Sequence, residues 1–105
     1  MKDNGYQLRI LPLFEQDLNQ IVDYIIQTLS SPDAAIRLVD EVQSAITERV
    51  SHPTIFEPFR STHQRKYPYY VIRVRNYSIF YVVIDQVMEV RRILYSKRDL
   101  NHLLP

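Results

Sequence analysis

Residues 69–99 read YYVIRVRNYSIFYVVIDQVMEVRRILYSKRD, and the fold turns on how this stretch is divided. Val, Ile, Tyr and Phe dominate it, and polar breaks fall near Asn76 and at Asp85-Gln86, so three consecutive strands are expected. In the first, side chains alternate Tyr70, Ile72, Val74 against Val71, Arg73, Arg75. One face suits packing on helices, and the other carries cations. The middle strand, Tyr77 to Ile84, is apolar on both faces, as a central strand should be. The third, Val87 to Tyr95, places Arg91 and Arg92 on opposite faces, so alternation alone does not assign its inward side. It runs into a charged exit, Ser96-Lys97-Arg98-Asp99.

Upstream, residues 5–11 alternate Tyr6, Leu8 and Ile10 against Gln7 and Arg9, a first strand with one buried face that Pro12 ends. Phe14, Leu18, Ile21, Val22, Ile25 and Leu29 then form one stripe of an amphipathic helix. Asp17, Asn19, Gln20, Asp23 and Gln27 are expected on its other sides. Ser31, Pro32 and Asp33 suit the cap, first position and first turn of a second helix. That helix carries Ala35, Leu38, Val39, Val42, Ile46 and Val50 on one side, and His52-Pro53 ends it. The short link between the two implies an antiparallel hairpin. Residues 53–68 hold three prolines with Arg60, His63, Arg65 and Lys66, and read as an irregular functional loop with room for a short strand. Leu100, Leu103 and Leu104 are expected to dock the tail on the core as a helical turn. The order β-α-α-β-β-β gives an α+β domain over residues 1–105, a helical hairpin on one face of a mostly antiparallel sheet.

A chain of 105 residues suffices for one core and is too short for two. No run approaches the roughly 18 apolar residues of a membrane span, and the first ten residues lack the apolar region of a secretory signal. With no cysteine there are no disulfides or thiolate metal sites, which fits a cytoplasmic protein. The three histidines lack zinc-motif spacing, and a single glycine excludes a glycine-rich phosphate loop. No metal or cofactor is expected. Charge is distributed unevenly. Residues 1–59 hold 4 Lys/Arg against 9 Asp/Glu, a balance of −5, and residues 60–105 hold 9 against 3, a balance of +6. A basic half of this kind suits an anionic partner, although lysines on sheet edges also discourage aggregation.

The ordered set FEQDLNQIVDYI, SPDAAIRLVDEVQSAI, HPTIFEP, YYVIRVRNYSIFYVV and VRRILYSKRDLNHLL resembles the RelE/ParE superfamily of bacterial type II toxins over nearly the whole chain. The DL-x-x-I-x-x-YI pattern and the closing Tyr95-Ser96-Lys97-Arg98-Asp99 are more similar to the ParE branch. The resemblance implies a growth-inhibiting, plasmid-stabilising toxin, held in a hetero-oligomer by a cognate antitoxin. ParE-like members inhibit DNA gyrase by binding. RelE-like members cut mRNA on the ribosome without a metal, and a degenerate member would bind antitoxin without toxicity. Where nuclease members carry an arginine after the tyrosine of the middle strand, this chain has Ser78.

Two sets of candidate residues follow. Under the nuclease reading, Tyr95 and Arg98 would carry proton transfer and charge stabilisation. Under the binding reading, the contacts would come from Arg73, Arg75, Lys97, Arg65, Lys66 and His63. Arg73 and Arg75, projecting together from one strand face, suit phosphate or carboxylate groups, or are simply solvated. His63 would serve as an acid or base, or be an exposed loop residue.

Overall fold

In the computed structural model, which describes residues 5–60, 64–98 and 103–104, six elements follow one another. They are β1 (Gln7–Ile10), α1 (Pro12–Gln27), α2 (Pro32–Arg49), β2 (Tyr70–Val74), β3 (Tyr77–Ile84) and β4 (Val87–Tyr95). The strands form one mixed sheet in the order β1-β4-β3-β2. β4 and β2 flank β3 antiparallel, while β1 joins β4 in parallel, Gln7 opposite Val87 and Ile10 opposite Val90. Parallel pairing of the first and last strands is what the intervening helical hairpin makes possible.

α1 packs over β4 and α2 over β2. Phe14, Ile25, Leu38, Val42 and Ile46 of the helices meet Ile72, Ile79, Tyr81, Met88, Val90 and Ile93 of the sheet. Burying side chains of this size is worth roughly 1.5–3 kcal/mol each. Pro32 starts α2 as expected, but Ser31 makes no side-chain capping bond. α1 ends through Ser30, whose φ of 53° is left-handed and lets the Ser31 N–H reach back to the Ile25 carbonyl (3.2 Å).

β3 is covered on both sides, which accounts for its doubly apolar sequence. Phe80 and Val82 alternate with Ile79 and Tyr81, and so lie on the face away from the helices. There they form a second core with Tyr69, Leu94 and Leu104, joined by Phe59, Tyr67, Val71 and Leu103. The rings of Phe59 and Tyr69 meet Phe80 edge-on, at 5.1 and 6.1 Å between centroids. The outer face of the sheet is therefore an apolar layer and not the cationic face expected from β2 alone. The loop of residues 53–68 holds no regular strand among its described residues, and the Phe59 N–H donates to the Tyr69 carbonyl (2.6 Å). Leu103 and Leu104 dock as expected, and Leu100 lies outside the described residues.

Three further expectations change. β1 is an edge strand without a buried face, because the helices cross β4 instead. Leu8 faces them and stays 43% exposed. Leu29, at the end of the α1 stripe, is 56% exposed. β4 keeps its alternation only as far as Val90. Phe80 pairs with Arg92 and Tyr81 with Val90, so Arg91 is the extra residue of a β-bulge. That resolves the two arginines. Met88 and Val90 face the helices before the bulge, and Ile93 does so after it.

Candidate functional site

The last turn of β4 borders a cleft of about 580 Å³. Asp17, Gln20, Ile21, Tyr24 and Leu29 form one wall, and Asn76, Tyr77, Arg92, Ile93, Leu94, Tyr95 and Arg98 the other. Its size falls in the range of roughly 300–1,000 Å³ that ligand sites occupy. β1 pairs with β4 only to Val90, after which the chain turns into α1, so the cleft opens where a sheet neighbour is missing.

Asp17 shapes its inner end. The sequence places it three residues after Phe14 and four before Ile21, on the apolar stripe and not on the solvent side. It is 8% exposed. Its carboxylate accepts two bonds from the Arg92 guanidinium (2.7 and 2.9 Å) and a third from the Ile93 N–H (3.1 Å). Arg92 also donates to the Leu103 carbonyl (2.9 Å), which ties the tail to the same point. The bonds from Arg92 to Asp17 outweigh burial and raise the guanidinium pKa, so Arg92 stays charged. The pair is closed on itself and leaves little net charge at the inner end.

The outer end is tyrosine-rich. Tyr77 and Tyr95 meet edge-on at 6.0 Å, and Tyr24 is 52% exposed. Burial first, then the neighbouring phenols of Tyr24 and Tyr95, raise the Tyr77 hydroxyl above its ordinary pKa. Tyr77 thus stays protonated at neutral pH. Tyr95 is 39% exposed, and its carbonyl accepts the Arg98 N–H (3.1 Å). Arg98 forms no ion pair among the described residues.

Of the sequence-derived candidates, the fold brings together Tyr95 and Arg98 at this cleft and disperses the others. Lys97 is exposed on the same turn without lining the cleft. Arg73 and Arg75 do not share a face. Arg75 has φ of 55° and sits in the β2–β3 turn, not on the strand. From there it makes a two-pronged pair with Glu41 of α2 (2.6 and 2.7 Å). Hydrogen bonding to Arg75 comes first among the causes lowering the Glu41 pKa. Arg73 donates instead to the Ser78 hydroxyl (2.9 Å), which bonds the Ser96 hydroxyl (2.7 Å). Arg65 lies over the Tyr69 ring at 5.2 Å and Lys66 over Tyr67 at 5.5 Å, contacts that hold cations on the outer layer. His63 lies outside the described residues. Sequence reasoning missed Asp17, Tyr24, Asn76, Tyr77 and Arg92 as site residues. For Asp17 the signal was its helical spacing, and for Asn76 its place at a strand break.

Among the described residues no three carboxylates or histidines are placed to hold a metal, and no helix is long and apolar enough to cross a membrane. No curated protein matches the sequence significantly. Solved structures share the fold. The chromosomal ParDE toxin–antitoxin system from P. aeruginosa superposes with a TM-score of 0.69 at 15% identity, spanning 89% of this chain and 98% of that one. The archaeal RelE–RelB complex from Pyrococcus horikoshii OT3 follows at 0.52 and 17%, spanning 90% and 98%. Residues 8–100 match the family described as the ParE toxin of the type II toxin–antitoxin system, parDE, and the chain belongs to that family of toxins.

Proposed function

We propose that this ParE-type toxin inhibits growth by binding DNA gyrase, and that a cognate antitoxin neutralises it in a hetero-oligomer. The observation that carries a binding mode over catalysis is the setting of Ser78. It stands where nuclease-type members carry an arginine, is fully buried, and is committed to Arg73 and Ser96. Arg92 is likewise consumed by Asp17, which leaves Tyr95 and Arg98 as a contact surface and not an acid–base set. The antitoxin reading is supported by both fold neighbours being toxin–antitoxin complexes.

Two measurements test this. Purified chain should inhibit supercoiling by gyrase, and total RNA should stay intact after induction in cells. Tyr95→Phe separates the modes. As a contact it loses one hydrogen bond, about 0.5–1.5 kcal/mol or up to about tenfold in affinity, and most toxicity persists. As a proton donor its loss would cost about 10²–10⁴ in rate. Ribosome-dependent mRNA cleavage that disappears in Tyr95→Phe would establish the nuclease reading instead.

A further inference from the structure

The helical and sheet layers carry opposite charge. α1 holds three carboxylates and α2 four, against two arginines, both in α2. The four strands hold four arginines, Arg9, Arg73, Arg91 and Arg92, against one carboxylate, Glu89. These arginines differ in how much of each guanidinium is spent. Arg92 closes its Nε–Nη2 fork on Asp17, and Arg75 of the β2–β3 turn closes the same fork on Glu41. Arg9 is anchored through Nη1 alone, on Glu89 Oε1 (2.8 Å), and Arg73 through Nη1 alone, on the Ser78 hydroxyl (2.9 Å). Both keep the Nε–Nη2 fork open, the edge that takes two oxygens of one phosphate or carboxylate.

Both open forks lie on the outer side of the sheet. Arg9 sits opposite Glu89, which alternates with the helix-facing Met88 and Val90. Arg73 alternates with the helix-facing Ile72 and Val74. Arg91 joins Arg9, its Nε donating to the second oxygen of Glu89 (2.8 Å) and its Nη1 to the Tyr69 hydroxyl (3.3 Å). Arg65 lies over the same Tyr69 ring at 5.2 Å, with Arg91 at 5.7 Å. Three cations thus gather around one carboxylate. β1 and β2 are the outermost strands, so Arg9 and Arg73 stand three strand spacings apart, about 14 Å across the sheet. A single phosphate does not reach both, and a ligand that fills both carries several anions. No member of the outer apolar layer is among the large exposed hydrophobics of the described residues. The face therefore lacks the apolar centre of a protein interface and an open ring on which an unpaired base could stack. Spread cations without apolar anchors suit the sugar–phosphate backbone of a duplex.

We infer that the outer face binds duplex DNA through its backbone phosphates, one in the Arg9 fork beside Arg91 and another in the Arg73 fork. The acidic helical layer is repelled by the same polyanion, so the molecule meets DNA on one face. Neither gyrase nor antitoxin takes part in this contact, and its failure would leave the reading above intact.

The test titrates purified toxin into a fluorescent duplex of about 20 base pairs and follows anisotropy from low to physiological salt. Binding should be independent of sequence, and log K should fall against log salt with a slope of about −2, roughly −0.9 per phosphate. Arg9→Gln and Arg73→Gln should each reduce that slope by about 1. Arg75→Gln should leave it unchanged, because that fork is already filled. In isotopically labelled wild-type toxin, the Nε–H signals of Arg9 and Arg73 should shift on adding the duplex, while those of Arg75 and Arg92 stay. That readout needs no substitution and stands even where a variant fails to fold. Absence of binding at low salt would overturn the site, and equal losses in Arg75→Gln would reduce it to net charge. Tighter binding of a single strand would assign the face to unpaired bases, and equal binding of polyglutamate would assign it to an acidic protein. Displacement of the duplex by inorganic phosphate at equal phosphate concentration would assign it to a free anion. Each of these results overturns the duplex assignment.

Discussion

Asp17→Ala should be among the most damaging single changes in this chain. The substitution deletes both acceptors of the Arg92 guanidinium and the acceptor of the Ile93 N–H. The Arg92 side chain is 16% exposed, so the stranded charge is largely dehydrated but borders an open cleft. Removing one partner of a buried pair costs about 3–5 kcal/mol, and access to the cleft places this case at the lower end, about 3 kcal/mol. That is a large share of the roughly 5–15 kcal/mol by which domains are stable. At about 4–8 °C per kcal/mol, the thermal midpoint should fall by roughly 12–24 °C. Asp17→Asn keeps one acceptor oxygen, which at the Oδ2 position still receives the Ile93 N–H and the Arg92 Nε–H. It sets an amide NH2 against the Arg92 Nη2, and should lose about half as much. Urea unfolding followed by circular dichroism gives both values, and the Asp17→Ala, Arg92→Ala double mutant gives the coupling. A cost under about 1 kcal/mol for Asp17→Ala, or an Asn variant as unstable as the Ala one, would refute the reasoning.

Acid should act through Glu89, which Arg9 and Arg91 hold at 2.8 Å each. Burial pushes its carboxyl up, but the bonds from the two arginines prevail and its pKa is lowered. Its contribution is therefore complete above the ordinary carboxylate value and is lost as pH falls through the lowered one. Glu89→Gln should flatten the acid limb of a stability-versus-pH curve measured by urea unfolding, and an unchanged limb would contradict this. Ser30→Gly removes the penalty on a side chain at φ of 53° and should raise stability by about 0.5–1 kcal/mol in the same assay. Glu41→Gln breaks the Arg75 pair, whose side chains are 44% and 47% exposed, and should leave the melting temperature unchanged within error.

The architecture was legible where periodicity was unbroken. The two helical stripes, the three strands after residue 69 and the doubly apolar β3 each carry their own pattern, and the order of elements follows from them. What stayed hidden depends on register or on distant partners. Arg91 and Arg92 contradict each other only until one extra residue is allowed, and nothing within β4 announces a bulge. Arg75 looks like a strand residue by alternation, yet the turn begins one position earlier than the polar break at Asn76 suggests. Asp17 and Arg92 lie 75 residues apart, so their pairing exists only in the folded chain. The candidate site was half legible. Tyr95 and Arg98 stood out as a charged exit, whereas the wall opposite them is built from α1, which the sequence presents as scaffold.

The bulge at Arg91 makes the length of β4 a constraint of its own kind. Met88 and Val90 serve the helical layer at even positions, and Ile93 serves it at an odd one, while Leu94 crosses to the layer of Phe80 and Leu104. The strand therefore works as a counter that changes parity once. A substitution at Arg91 alters one side chain, and its deletion would leave plain alternation with every later pairing kept. A residue inserted between Arg92 and Ile93 would instead reverse every assignment after it. Ile93 would be turned toward the outer layer, Leu94 toward the helices, and the Tyr95 main chain away from the cleft. Among relatives that keep this sheet, drift in residue type should be far commoner along β4 than gain of a residue after the bulge.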